Sequence, residues 1–329
     1  MHCFSVTLKP LSAFATSFKG DTLFGQLCWA INNRLGETQL QQCLDGYHQD
    51  QPFAVLSDAF PEGYLPLPKL PSSFYQLPEG QDRKAVKKRA WLPDSQIQAP
   101  VEQWLGHAVN GAKIASTYPA NKHKANIYYH SLSEQHPQPH NTINRNTNTT
   151  GEGGFAPYSV EQEWFIPGLR WTVYVLLDTD RLNAENCQQC LTDIGLFGYG
   201  KDASIGMGKY EIIEFKEHTL PAQSNANACL TLAPCAPQGK GYDSQRSYYQ
   251  PFTRFGRHGD AAVHQKGKPF KNPVLLAQTA AVFTTQPPVT GFIGQGIGGN
   301  GELSKTISGT VQQGYAPVIA INLPSKERL

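Results

Sequence analysis

The sequence of 329 residues has no apolar run near the ~20 residues that a membrane-spanning helix needs, and Val173 to Leu177 is typical of its longest. No part of it reads as a membrane-crossing helix. Met1 to Lys9 lacks the basic start and continuous apolar centre of a signal peptide; Phe4, Val6 and Leu8 alternate with Ser5, Thr7 and Lys9, the pattern of a first strand. Cysteines are few and odd in number, seven at 3, 28, 43, 187, 190, 229 and 235, too sparse for a secreted disulfide framework, and a reducing cytoplasm is expected. Charge is scarce at 16%, and 28 basic against 26 acidic residues leave a net +2, which on its own says nothing about nucleic acid. What is plentiful is glycine, at 30, and proline, at 24, with 40% hydrophobic residues. That excludes a coiled coil and a collagen and fits a turn-rich globular chain of two domains.

Gly20-Asp21 opens a segment in which Leu23, Phe24, Leu27, Cys28, Ile31 and Leu35 recur at helical spacing, with Asp21 expected as N-cap and Gly36 as C-cap. A weaker helical stretch, Glu37 to Leu44, follows. From about Gln51 to Tyr158 the periodicity fades, prolines recur, and His136 to Gly154 is almost wholly polar. So long a structureless connection is unusual in a compact domain, and 51–158 reads as a functional insertion with a hairpin or two. Order returns in a strand at Arg170 to Leu177. Asp180 then caps a helix whose stripe is Leu182, Cys187, Cys190, Leu191 and Ile194, and a glycine-rich turn, Gly198 to Gly208, leads into a strand at Lys209 to Phe215. The order predicts an α+β fold with a ferredoxin-like βαββαβ unit over 1–220, its second and third strands lying between Thr142 and Leu177. Pro221 to Asn227 mark a junction to a second, degenerate copy over 221–329, with strands at Cys229–Leu232, Val274–Phe283 and Pro317–Leu323.

Motifs that imitate chemistry fail on context. Gly195 to Asp202 gives G-x-x-x-x-G-K, but Asp202 stands where a P-loop needs Ser or Thr, and here a helix precedes rather than follows. The Gly198 and Gly294 runs resemble dinucleotide fingerprints without opening a helix. Cys187-Gln-Gln-Cys190, with Cys229 and Cys235, has the spacing of half a zinc site plus two, yet no second C-x-x-C accompanies it and the motif fits a buried helix face. Histidines at 107, 123, 130, 136 and 140 sit in the polar insertion and make no recognisable catalytic set. No metal, cofactor or catalytic residue is expected. Gly198, Gly200, Gly206 and Gly208 form G-Y-G-x5-G-M-G, whose backbone N–H groups would cradle an anion beside Lys201, Ser204 and Lys209.

Cations cluster instead. Arg83, Lys84, Lys87, Lys88 and Arg89 fall within seven residues ahead of Trp91. Arg246, Arg254, Arg257, Lys266, Lys268 and Lys271 share a stretch with one acid, Asp260, and are interleaved with Tyr248, Tyr249, Phe252, Phe255 and Phe270. Cations that track phosphates, with aromatic faces for bases, are what single-stranded nucleic acid requires.

The first-helix segment Ser17 to Gly25, the Tyr64 to Pro71 proline run, the basic run ending Trp91-Leu92-Pro93, Asn144-Arg145-Asn-Thr147, the glycine loop and Gln313 to Val318 occur in an order that resembles the RAMP superfamily of CRISPR proteins. The resemblance is strongest to the fourth Csm subunits of type III-A effector complexes. It implies two RRM-like domains, the first with a long thumb-like insertion, about 51–158, whose duplex-kinking hairpin falls in part of Leu65 to Asn144, and the second degenerate. It also implies a non-enzymatic subunit of antiviral defence that holds the 5′ tag of the crRNA. Its partners would be a large polymerase-like Csm subunit, the backbone Csm RAMP subunit and target RNA near the guide 5′ end. The glycine loop would contact the tag, with Lys19 and Arg145 as phosphate contacts. The competing reading is a RAMP endoribonuclease that processes CRISPR transcripts without metal, with His258 as general acid or base. The run Gly291 to Gly301 has no role in either.

Overall fold

The computed structural model describes residues 1–76, 80, 82–119, 128–259 and 269–324. The chain opens with β1 (His2–Pro10), α1 (Gly20–Leu35), α2 (Glu37–Leu44), β2 (Ala54–Leu56), β3 (Phe60–Pro61) and β4 (Tyr64–Pro66). It continues through α3 (Arg83–Lys87), β5 (Trp91–Pro93), α4 (Val101–His107), α5 (Gly111–Ala115), β6 (Ser133–His140) and β7 (Tyr158–Phe165). Then come β8 (Trp171–Leu177), α6 (Ala184–Phe197), β9 (Tyr210–Glu217) and β10 (Ala228–Thr231). The last five strands are β11 (Pro251–Arg254), β12 (Val274–Ala277), β13 (Val282–Phe283), β14 (Phe292–Gly298) and β15 (Val311–Ile321). No helix among the described residues is long and apolar enough to cross a membrane.

The first sheet runs β2-β8-β1-β9, all antiparallel, with β3 also on β8. This is the strand order of a ferredoxin-like unit, with α1 and α6 as its helices. Its second strand is not between Thr142 and Leu177, as the sequence predicts, but at Ala54–Pro61, inside the segment read as insertion. Ala54, Val55 and Leu56 are fully buried, so the strand has no alternation to reveal it. Helix α6 likewise begins later than Asp180. Asn183 caps it by accepting from the Asn186 N–H at 2.8 Å, while Asp180 sits in a preceding turn whose N–H bonds Asp178.

The C-terminal half holds a four-stranded sheet, β13-β10-β15-β14, and no α-helix among its described residues. Its strand order differs from that of the first sheet. Val274–Phe283 is two strands on different partners, β12 on β11 and β13 on β10, broken where Ala280 turns at φ 68°. Gly291–Gly301, unassigned in sequence, supplies β14. A Cβ at Gly294 would lie 2.0 Å from the Gly314 carbonyl, and one at Gly296 2.6 Å from the Tyr47 ring, so this strand packs because it lacks side chains.

One core fills the first sheet and its helices, with Phe24, Leu27, Ile31 and Val175 at its centre. A second joins the halves: Leu65, Leu92 and Trp104 pack with Leu230, Ile319 and Leu323. The hairpin β6–β7 projects as an exposed arm whose tip carries Arg145. Its second strand runs to Phe165, past Tyr158, where the insertion read from sequence ends.

Candidate nucleic-acid interface

Helix α1 starts close against β2 because residue 20 is glycine; a Cβ there would lie 2.2 Å from the Leu56 carbonyl oxygen. The cap comes from across the fold, Asp58 Oδ1 accepting from the Gly20 N–H at 2.9 Å. Asp58 Oδ2 accepts from Lys19 Nζ at 2.7 Å and from Thr279 Oγ1 at 2.5 Å. Asp21, expected as the cap, is instead a buried ion-pair partner, its side chain 2% exposed and accepting from Arg254 Nε at 2.7 Å and Nη2 at 2.9 Å. Burial pushes the Asp21 carboxyl above its ordinary range, and the Arg254 guanidinium pulls it part of the way back. A buried carboxylate persists only with such a partner. Arg254 also lies 5.1 Å from the Phe252 ring centre.

Lys19 and Arg254 line one cleft of about 1230 Å³. Its wall also takes in Lys69, Arg83, Lys87, Lys88 and Arg89, with Trp91, Tyr75 and Phe252 among the aromatics, and its acids are Asp58 and Glu163. Asp58 and Lys19 offset each other and Arg254 is paired with Asp21, so the excess is carried by Lys69, Arg83, Lys87 and Lys88. A concave surface with this excess of one sign focuses a positive potential on whatever enters. The α3 cations stand there because Val86 is buried on the other side of a short helix capped by Asp82, which accepts from the Lys84 N–H at 2.9 Å. Thus Lys19, part of the 83–89 run and Arg254 come together from three distant stretches.

Other sequence candidates lie elsewhere. Lys84 is exposed on α3 but does not line the cleft, and Arg89, which does, donates from Nη1 to the Leu105 carbonyl at 2.7 Å, closing the end of α4. Arg145 is on the exposed arm. Arg257 is exposed and stacks over Phe270 at 5.9 Å, whereas Arg246 donates to the carbonyls of Leu323 and Pro324. Lys271 is drawn inward, and burial holds its amine below the ordinary lysine range. Lys266, Lys268, Asp260 and His123 lie outside the described residues.

The glycine loop needs a different physical account from an open anion cradle. A Cβ at Gly198 would lie 2.3 Å from the Met207 carbonyl, at Gly200 2.5 Å from Thr16 Cβ, and at Gly208 2.0 Å from the Tyr199 carbonyl. These glycines admit the protein's own backbone. The loop's amides are mostly committed as well: Tyr199 N–H to Gly208 O, Gly208 N–H to Ala13 O, and Lys201 N–H to Thr16 Oγ1. Lys209 N–H bonds Ser12 Oγ. Gly206, at φ 92°, would meet no atom within 4 Å if it carried a Cβ; it faces open space, as do the exposed Lys201, Ser204 and Lys209.

His258 is 5% exposed and its Nε2 lies 2.7 Å from Ser304 Oγ, with burial and then Lys271 lowering its pKa. That is a packed histidine, not one open to a substrate. Cys187 and Cys190 sit in the first core, Cys229 and Cys235 in a separate one, and burial raises all four thiols. No group of metal-binding side chains forms among the described residues. Sequence reasoning missed Lys69 as a site residue. Its signal is the flanking Pro66, Pro68 and Pro71, which hold an extended ridge pinned by the Lys69 N–H to Ala280 O at 2.9 Å.

Small antiparallel sheets and a leading ferredoxin-like unit make this an α+β fold. In fold the chain resembles Csm4. With a chain of the Csm3–Csm4 subcomplex of the type III-A CRISPR-Cas interference complex it shares a TM-score of 0.61 at 14% identity, over 98% of this chain and 100% of that one. With a chain of the Csm1–Csm4 cassette in complex with pppApA the TM-score is 0.56 at 15% identity, over 99% and 100%. With the cassette in complex with cA4 it is again 0.56 at 15%, over 98% and 99%. No protein-family profile and no curated protein matches the sequence.

Proposed function

We propose that this chain is a crRNA-binding, non-catalytic subunit of a type III-A CRISPR effector complex, acting in the cytoplasm in antiviral defence. The observation that carries the reading is the cationic cleft, whose Lys19, Arg83, Lys87, Lys88 and Arg254 come from distant stretches onto one aromatic-lined surface in a fold like that of Csm4. The cleft and the exposed face of the glycine loop hold the 5′ tag. The exposed arm with Arg145 meets the guide near its 5′ end, where target RNA pairs. Csm4-like chains occur with Csm1 and with Csm3 in solved assemblies, which supports a subunit joining the large polymerase-like protein to the backbone RAMP.

Affinity for unstructured RNA is expected to be largely electrostatic, with a log–log salt slope of about −0.7 per phosphate contact. Arg83→Glu, Lys87→Glu and Lys88→Glu together should flatten that slope by about 2 if each touches a phosphate. Arg89 is left intact because it closes α4. A slope unchanged in the triple variant removes the cleft from the RNA path. Labelled CRISPR repeat RNA incubated with the protein without metal should stay whole, and site-specific cleavage would favour the endoribonuclease reading instead.

A further inference from the structure

Beyond the cleft lies a second, smaller hollow of about 380 Å³, and the two share Lys69 and Leu70 in their walls. Their far walls are tied as well: Gln278, which lines the cleft, donates its N–H to the carbonyl of Gln250, which lines the hollow, at 2.8 Å. The proline-flanked ridge that carries Lys69 is thus a sill between two connected spaces, with the lysine exposed on it.

The hollow has an aromatic wall held in place before anything binds. Tyr249 is 38% exposed, yet its ring lies tilted 5.4 Å from that of the fully buried Phe283, and its hydroxyl is 3.3 Å from that of Tyr242. Its neighbour Tyr248 is fixed by two backbone bonds to Val282 and an edge contact on Phe74 at 5.1 Å. No acid is among the hollow's described lining residues. A rigid ring face beside a lysine, with the Gln250 amide next to it, has the elements that take an unpaired base and its phosphate. The volume is near the lower limit of small-ligand sites, which suits one nucleotide rather than a run.

We propose that an RNA strand lying in the cleft continues over Lys69 into this hollow, with a phosphate at the Lys69 amine and the following base stacked on Tyr249. This rests on the RNA-binding reading of the cleft and adds a single-nucleotide subsite to it. The base there is unpaired, since a base in an A-form helix offers no free face to a side chain.

The test uses the full chain and unstructured ribo-oligomers with 2-aminopurine walked through each position. One position should be quenched on binding, and the quench should survive Tyr249→Phe and vanish in Tyr249→Leu, which keeps an apolar body against Phe283. Tyr249→Leu should weaken binding about 5- to 100-fold. Lys69→Glu, on an exposed side chain, should reduce the salt slope by about 0.7. Full affinity and unchanged quenching in Tyr249→Leu overturn the subsite, while weakening by the α3 charge reversals still upholds the cleft. Loss of a partner subunit with quenching unchanged assigns the hollow to protein contact and overturns it too. No binding by the native chain overturns the subsite and the cleft together.

Discussion

The pair of side chains that most constrains the cleft is Asp21 with Arg254. Removing the guanidinium leaves a carboxylate that is 2% exposed without its cation, a change that costs about 3 kcal/mol in comparable buried pairs. Burial already raises the Asp21 pKa, and in Arg254→Ala only the weaker pull of Lys19 opposes it. An acid whose folded pKa exceeds its unfolded value, about 3.9 for aspartate, destabilises the fold progressively as pH rises from the unfolded value through the folded one. The penalty of Arg254→Ala should therefore be smallest at about pH 3, below the pKa of Asp21 in both states, and grow towards pH 8. Urea unfolding at both pH values measures it, and a penalty independent of pH would separate Asp21 from the effect. Glycines of the loop divide by the same local reading. Gly206→Ala meets nothing within 4 Å and should cost only the strain of a positive φ, about 1–2 kcal/mol. Gly208→Ala drives a Cβ to 2.0 Å from the Tyr199 carbonyl and should cost more than about 4 kcal/mol. Unfolding midpoints of the two variants compare them directly, and equal losses would contradict the packing role of Gly208. Gly206 can then report on RNA contact at a small cost to the fold, which Gly208 cannot.

Elements were legible in the sequence where they are long enough to show a pattern of residue types. β1 alternates, α1 repeats every three or four residues, α2 runs from Glu37 to Leu44 as read, and β8 and β9 carry their β-branched and aromatic residues. Very short buried strands were not legible, although β8, seven residues long and buried throughout, was. Ala54–Leu56 has no polar face to mark it, and Phe60–Pro61 ends in a residue that reads as a breaker. β14 was hidden for the opposite reason: FIGQGIG looks like a loop, and its glycines are explained only by Gly314 and Tyr47, which approach from β15 and from the turn after α2. The cleft was half legible. Its α3 cations stand out as a run, and Arg254 stands out among aromatics, but that they face one another follows from the Asp21 pair, which links positions 21 and 254 and has no local signature. Lys69 has no charge pattern around it, and its signal is the flanking prolines that hold the ridge.

At the scale of the molecule the two sheets are bound more intimately than a junction at 221–227 suggests. Trp104, fully buried with its Nε1–H on the Ala99 carbonyl at 2.8 Å, belongs to a core completed by Leu230, Ile319 and Leu323 from the far side of that junction. β15 reaches further, into the first core. Tyr315 packs there and donates to the Tyr47 carbonyl at 2.5 Å, and the Gln313 side chain brackets Leu56, accepting from its N–H at 2.9 Å and donating to its carbonyl at 2.8 Å. In effect Gln313 supplies β2 with the hydrogen bonds of another strand. Cutting the chain after residue 222 would expose an apolar face on each fragment and remove the Gln313 bonds to Leu56, so burial that stabilises both sheets is lost. Fragments 1–222 and 223–329 expressed separately should therefore lack near-UV circular dichroism and a cooperative melt. Expressed together they should co-purify and regain the signal of the intact chain. A cooperative melt from 1–222 alone would mean that the first sheet closes its own core. The cleft would be lost with the separation in any case, because its cations stand on both fragments, Lys19 and α3 on one and Arg254 on the other.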